Sequence, residues 1–297
     1  MFKLSVISDE ISQDFQRVVD VGREYGVAMV EPRSVWDKPP QALTDDEVRR
    51  MRDILNAAGM GCACIAAPFL KCDLGNDGHY REHLGILRRC IEIGRLLGTN
   101  LVRGFTFWRT GPAQDVWGEL LEAYDEPIRI LEGEDAYVGI ENEASTHIAT
   151  AREAAAFYTD LAERSPAGGE RIRAVWDPAN EVFADEGELP YPDAFARMKP
   201  YLIHVHLKDA VRDENGEPKL VPVGEGGYID YPAQLQALVD MGYEGACSLE
   251  THWRPAEELD EDLLDRPGGA AFSASGERAS RICLANLQRI IAGLRTA

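Results

Sequence analysis

The chain has 297 residues, 45% of them apolar, which suits one α/β barrel core and exceeds a minimal domain. Its 31 basic and 51 acidic side chains leave a net charge of −20, which repels nucleic-acid phosphates and anionic membrane surfaces at long range. The opening "MFKLSVISDE" has a short apolar run broken by an acidic pair, unlike a secretory signal, and no apolar run nears the roughly 20 residues of a membrane-crossing helix. A soluble, cytoplasmic protein with no nucleic-acid or membrane partner is expected.

In chain order, β-prone runs predict strands near residues 2–8, 27–31, 60–66, 100–106, 136–142, 171–177, 202–207 and 245–250. Between them lie the helical patterns "DFQRVVDVGREYG", "TDDEVRRMRDILNAAG", "YREHLGILRRCIEIGRLLG", "DVWGELLEAYDEPIRILEGE", "ATAREAAAFYTDLAERS", "DAFARMKP" and "YPAQLQALVDMG", and "ERASRICLANLQRIIAGL" closes the chain. Several have apolar residues at three and four spacing and stop at Gly. Eight strands alternating with eight helices predict an α/β fold, a single (β/α)8 TIM barrel spanning 1–297 as one domain. An open doubly wound sheet is disfavoured because no G-x-G-x-x-G follows the first strand.

Two stretches depart from the repeat, "DENGEPKLVPVGEGGYID" after strand seven and "RPAEELDEDLLDRPGGAAFSASG" after strand eight. Both fall in βα loops, on the face where barrel enzymes keep their active sites. The second is expected to act as a lid or a dimer contact, against the plainer reading of a solvated loop. The six cysteines are scattered, and the C-x-C at Cys62 and Cys64 has no second pair to complete a tetrahedral site, so buried free thiols are expected.

Strands five to eight end "YVGIENE", "AVWDPAN", "IHVHLKD" and "ACSLETH", each with one metal-capable side chain: Glu141, Asp177, His206 and Glu250. Alternation along a strand puts Glu141 on the face of Gly139 and Tyr137, Glu250 on that of Ser248 and Ala246, and His206 on that of His204 and Lys208. Three carboxylates and one imidazole thus aim at one point. Singly, each such residue is more often a cap or an ion-pair partner. Four in register predict a shared divalent cation, because bare carboxylates there would repel one another. Oxygen donors with one nitrogen suit Mn²⁺ first, then Mg²⁺ or Co²⁺, with Zn²⁺ also admissible.

With "ISDEIS", "IEN", "WDPAN", "HVHLKD" and "VPVGEGGYIDYPAQLQALVDMGYEGACSLE", the chain resembles the sugar phosphate isomerase/epimerase family, the xylose isomerase-like TIM barrels, over nearly its whole length. The resemblance implies metal ligands at Glu141, Asp177, His206 and Glu250, and proton transfer by Glu141 and Glu250. It also fits a homodimer, since family members often dimerise. Two positions depart from the pattern: Asn180 stands where many members have a histidine, and Glu143 where many have Glu-Asn-His at strand five. The family's AP endonuclease branch needs further histidines on earlier strands, and "CIAAPFLK" and "LVRGFTFWR" have none.

Arg33, Lys71, Arg103 and Lys208 fall at strand ends near the barrel mouth and are candidate substrate contacts, with a structural ion pair to Glu31, Asp209 or another acid as the alternative for each. Asn180 and Trp108 join them. Trp36, Phe69, Phe105, Phe107 and Trp253 could likewise stack on a sugar or simply pack beneath the loops. His204 reads as a support for His206 rather than a ligand, and His147 and His252 as subsidiary acid/base candidates.

A metal beside a carbonyl acidifies the neighbouring C–H, and a nearby carboxylate can move that proton. The expected function is therefore a metal-dependent isomerase or epimerase of a keto sugar or related polyol, with proton transfer through a metal-bound enediolate. A lyase or dehydratase acting on a keto sugar, inosose or 3-keto glycoside is the alternative. A non-catalytic sugar-binding barrel comes third, because a binder has no need of four costly polar strand ends.

Overall fold

The computed structural model describes residues 1–256 and 259–295. Its strands are β1 (Lys3–Ile7), β2 (Met29–Glu31), β3 (Gly61–Cys62), β4 (Ile65–Phe69), β5 (Leu101–Gly104), β6 (Tyr137–Glu141), β7 (Ile172–Trp176), β8 (Leu202–Leu207), β9 (Asp209–Arg212), β10 (Pro218–Val221) and β11 (Ala246–Leu249). Nine of them form one sheet in the order β3-β2-β1-β11-β8-β7-β6-β5-β4. All its pairings are parallel. Its two ends are β3 and β4, which follow each other in the chain, so the expected third strand is one stave split in two. Counted that way the barrel has eight staves, with helices outside and a TIM-barrel architecture.

The split corrects the strand expected at residues 60–66. Pairing with β2 ends at Cys62, where the Cys62 thiol turns to the Cys64 carbonyl, 3.7 Å away, and pairing with β5 resumes at Ile65 and runs to Phe69. All six cysteines are buried and free. A second correction lies after β8, where the expected loop contains the antiparallel ribbon β9–β10. The helical run at 115–134 is also broken, into Trp117–Glu122 and Asp125–Glu134. Among the described residues no helix is long and apolar enough to cross a membrane.

Helix ends follow local chemistry. Thr44 and Thr150 form capping boxes with Glu47 and Glu153, and Gly59 and Gly98 end their helices in the left-handed conformation that costs glycine little. Apolar residues of both helices and staves make the core between the two layers, including Val30, Val138, Trp176, Val205, Leu207 and Leu249. As strand alternation requires, Val205 and Leu207 point into this layer while His204 and His206 point to the barrel axis.

Asp209 ties down the loop after the ribbon, its carboxylate accepting backbone N–H groups from Ala210, Gly224 and Ile229 at 3.0, 3.1 and 3.4 Å. Inside the barrel, Gly139 on β6 lies two residues below Glu141. A Cβ there would stand 2.6 Å from Val175 Cγ2 on the neighbouring stave, so only glycine fits. Gly139→Ala should therefore lower the unfolding free energy by about 1–3 kcal/mol through overpacking, read from the urea midpoint. An unchanged midpoint would mean that the stave can shift without cost.

Candidate metal and active site

The barrel staves bring the four strand-end residues together at one mouth. Glu141 ends β6, Asp177 follows β7, His206 lies in β8, and Glu250 follows β11, its N–H donating to Leu207 O at 3.1 Å. One donor atom from each of the four lies within 4.8 Å of the other three, and all four residues are buried. Ligands of a single divalent ion, each about 2.0–2.4 Å from it, necessarily span such a distance. Asp177 Oδ1 caps the next helix by accepting N–H from Ala179 and Asn180 at 2.8 and 3.1 Å, whereas its buried Oδ2 has no hydrogen-bond partner. That oxygen, with Lys208 Nζ 2.9 Å away, faces two more carboxylates and an imidazole, a donor set that fits a divalent ion. The residues present can hold one.

Behind this cluster is a residue whose part the sequence did not reveal. His206 Nδ1 lies 3.3 Å from both Glu141 Oε1 and Glu250 Oε2, while its Nε2 lies 3.4 Å from Glu31 Oε1. The other Glu31 oxygen is 2.8 Å from His204 Nε2, which is also 3.1 Å from Ser248 Oγ. Burial pushes Glu31 up, but the charges of His204 and His206 more than reverse this and hold it well below the usual carboxylate range. An ionised Glu31 accepts a hydrogen bond from His206 Nε2 and so orients the ring with Nδ1 toward Glu141 and Glu250. The available sequence signal was the pattern already used for the other acids, a carboxylate ending a buried strand, here "MVE".

Three cations balance the acids. Arg33 reaches Asp9, Glu10 and Glu250 at 3.0, 2.9 and 2.6 Å, so it pairs with these acids rather than with Glu31. Lys208 Nζ lies 2.9 Å from Asp177 Oδ2, close but not aligned as a hydrogen bond, and 3.1 Å from Glu250 Oε2. Arg103 Nη1 lies 3.1 Å from Glu141 Oε2 and 3.8 Å from Glu250 Oε1. Burial pushes Glu250 up, but Lys208, His252 and His206 hold it well below the usual range. Burial likewise opposes ionisation of Glu141, and His206 and Arg103 outweigh it. Asp9 is pushed up to about 6 by burial and by Glu10, against the pull of Arg33.

The remaining candidates divide by position. Asn180 donates to Glu141 Oε1 at 3.2 Å and to Asn142 O at 2.8 Å, beside the cluster. A cavity of about 320 Å³ opens from Glu250 and Lys208 past Arg103, Phe105, Lys71 and Trp108. His252 borders it, with Nδ1 3.0 Å from Glu10 Oε1 and 3.8 Å from Glu250 Oε1. His147 is buried with neither ring nitrogen bonded. Phe69 and Phe107 belong to the core, Trp36 packs under Arg50, and Trp253 borders a neighbouring cavity. In the stretch read as a lid, Leu264, Asp265 and Arg266 line the 320 Å³ cavity, and Glu257 and Glu258 lie outside the described residues.

This chain belongs to the xylose isomerase-like TIM barrel family, whose model matches residues 19–269. A curated relative, the 3'-dehydrocarminate deglycosidase alpha subunit of a Microbacterium species, is 29% identical over 155 residues, 50% of this chain. The match spans only 38% of that relative's own length. Among solved structures, L-ribulose 3-epimerase superposes with a TM-score of 0.69 at 20% identity, covering 98% of this chain and 96% of that one. A xylose isomerase-like TIM barrel protein from Mycobacterium smegmatis, in complex with magnesium, gives a TM-score of 0.66 at 17% identity over 98% of each chain. At such identities the structural likeness is one of fold.

Removing Arg33 tests the charge balance. Arg33→Met strands Asp9, Glu10 and Glu250 in the interior and should cost about 3–5 kcal/mol of stability. The loss should be smaller at about pH 5 than at about pH 8, because carboxyls deprived of their cation gain protons as pH falls. Chemical denaturation at the two pH values measures both, and a pH-independent loss would contradict the charge argument.

Proposed function

We propose that this chain, acting as one barrel domain in the cytoplasm, is a divalent-metal-dependent isomerase or epimerase of a keto sugar or related polyol. The observation that carries the reading is the convergence of Glu141, Asp177, His206 and Glu250 on one buried point. These four would hold the ion, with Mn²⁺ the first choice for a site of three carboxylates and one imidazole, and Mg²⁺, Co²⁺ or Zn²⁺ also accommodated. When bound, the ion would supply Lewis-acid polarisation of the substrate's keto oxygen, which acidifies the adjacent C–H.

The chain's own residues do the rest. Glu141 and Glu250 are both kept ionised by cations, so each begins as a base able to take the acidified proton. Arg33 fixes Glu250 through Oε1 and leaves Oε2 facing His206 and Lys208. Asn180 and Arg103 hold the two oxygens of Glu141 apart. One glutamate takes the proton; delivery to the opposite face by the other, once it has gained a proton from solvent, gives epimerisation, and return by the first to the neighbouring carbon gives isomerisation. Lys208, Arg103, Lys71, Asn180 and Trp108 would bind the substrate, Arg33 would act through Glu250, and His204 would steady Glu31 behind His206.

The deglycosidase relative favours a second reading, a lyase that expels a substituent β to the same carbonyl from a 3-keto glycoside or, as a dehydratase, from an inosose. It uses the same proton abstraction and differs in what leaves. That relative's designation as an alpha subunit also supports assembly with another chain, with a homodimer as the alternative.

Two experiments test the reading. Mn²⁺ in excess should raise the melting temperature of the chain, by about 2.7 kcal/mol of added stability at 100 times its Kd, and Asp177→Asn should abolish most of that gain. With Mn²⁺ and a panel of ketoses, inososes and 3-keto glycosides in D₂O, deuterium should enter beside the carbonyl, and Glu250→Gln should slow this by roughly 10²–10⁴-fold. Full exchange by the variant would remove Glu250 from proton transfer. The product separates isomerase, epimerase and lyase.

A further inference from the structure

Lys71, Phe105 and Trp108 reach the 320 Å³ cavity from two loops, those after β4 and β5. Backbone rungs join the two loops: Phe105 N–H donates to Phe69 O at 2.8 Å, Phe107 N–H to Leu70 O at 2.8 Å and Trp108 N–H to Cys72 O at 2.9 Å. The loop after β6 adds to the same layer, with His147 N–H donating to Phe107 O at 3.1 Å and Arg109 N–H to Ser145 O at 2.9 Å. Lys71 Nζ thereby lies 4.7 Å from the Phe105 ring centre, 5.4 Å from that of Trp108 and 3.5 Å from Glu143 Oε2.

Two residues of this layer are strained. Leu70 and Phe107 have φ of 59° and 61°, a left-handed backbone that is costly for bulky side chains and persists only where the surroundings over-determine it. For Leu70 the added hold comes from outside the layer. Its N–H donates at 2.9 Å to His83 Nδ1, on the helix Asp77–Leu97. His83 is buried and borders the same cavity. An amide N–H can only donate, so Nδ1 presents its lone pair and the ring is neutral, with its proton on Nε2. Burial pushes His83 below its usual range and favours this neutral ring, while Glu82 pulls the other way. An apolar side chain at this position would leave a buried N–H unpaired at the residue that precedes Lys71.

We propose that His83 is a positioning residue for the reaction: by accepting the Leu70 N–H it fixes the left-handed turn that sets Lys71 on the cavity wall, and through Lys71 it governs substrate binding. The proposal rests on the sugar reading above, in which Lys71 contacts the substrate. The hydrogen bond of His83 goes to Leu70 and not to the four convergent donors, so binding and proton transfer should separate.

Three readouts test this. In the wild-type chain the ¹⁵N spectrum of the His83 ring should show an unprotonated Nδ1 and a protonated Nε2 at about pH 7. A proton on Nδ1 overturns the proposal. His83→Leu removes the acceptor at similar size, and His83→Gln supplies another. Acetic anhydride labelling followed by peptide mass spectrometry should find Lys71 modified about 10-fold faster in the Leu variant, the worth of one buried hydrogen bond, and at nearly the wild-type rate in the Gln variant. The exposed Lys3 and Lys199 should label alike in all three chains. In the D₂O assay, with a panel compound that exchanges, the Leu variant should raise KM about 10-fold with kcat nearly unchanged, and the Gln variant should restore KM. Equal labelling of Lys71 in all three chains, faster labelling of the control lysines alongside it, or a fall in kcat at unchanged KM overturns the proposal. Should the Leu variant fail to fold, the ring spectrum and the Gln variant still decide. Labelling and the ring spectrum need no substrate, so a panel without exchange counts against the sugar reading alone.

Discussion

The constraint on which the mouth of this barrel depends is the burial of like charge. Glu141, Asp177 and Glu250 meet within a few ångströms, with Glu31, Asp9 and Glu10 close behind them. Burial alone would protonate most of these acids. The fold answers with Arg33, Arg103 and Lys208, each drawn from a different stave end, and with the paired imidazoles of His204 and His206. The charged layer is therefore one connected network, in which Glu250 alone touches Arg33, Lys208 and His206.

That network also explains the local design of the staves. Gly139 and Ser248 occupy the layer below Glu141 and Glu250, leaving width for the acids and for the His204–Glu31 contact. The histidines alternate with Val205 and Leu207, so one strand serves the apolar layer with one face and the polar centre with the other. The same alternation sets Arg103 beside Glu141, because β5 and β6 are neighbours with Arg103 opposite Gly139. Two buried polar atoms at this mouth keep no hydrogen-bond partner, Asp177 Oδ2 and Arg103 Nε.

The sequence was legible where chemistry is local or periodic. Period-two runs and amphipathic repeats identified eight staves, and one metal-capable residue at each of four consecutive strand ends identified Glu141, Asp177, His206 and Glu250. It was less legible where neighbours decide. The break at Cys62–Ile65 depends on two different partner strands, and the ribbon β9–β10 carries charges that mimic an open loop. Asp9 and Glu10, in "ISDEIS", looked like a polar turn, yet both are buried because Arg33 comes to them across the barrel mouth.

By itself, then, the sequence determined the barrel, the family and the set of four convergent donors, because strand alternation and chain order are properties of the chain. Only the tertiary structure decided which cation serves which acid, that Glu31 orients His206, and that Lys71, Arg103 and Arg266 share one wall with Phe105 and Trp108. Those outcomes rest on contacts of a few ångströms between residues far apart in the chain, 217 positions in the Arg33–Glu250 pair, and only closure of the barrel creates them.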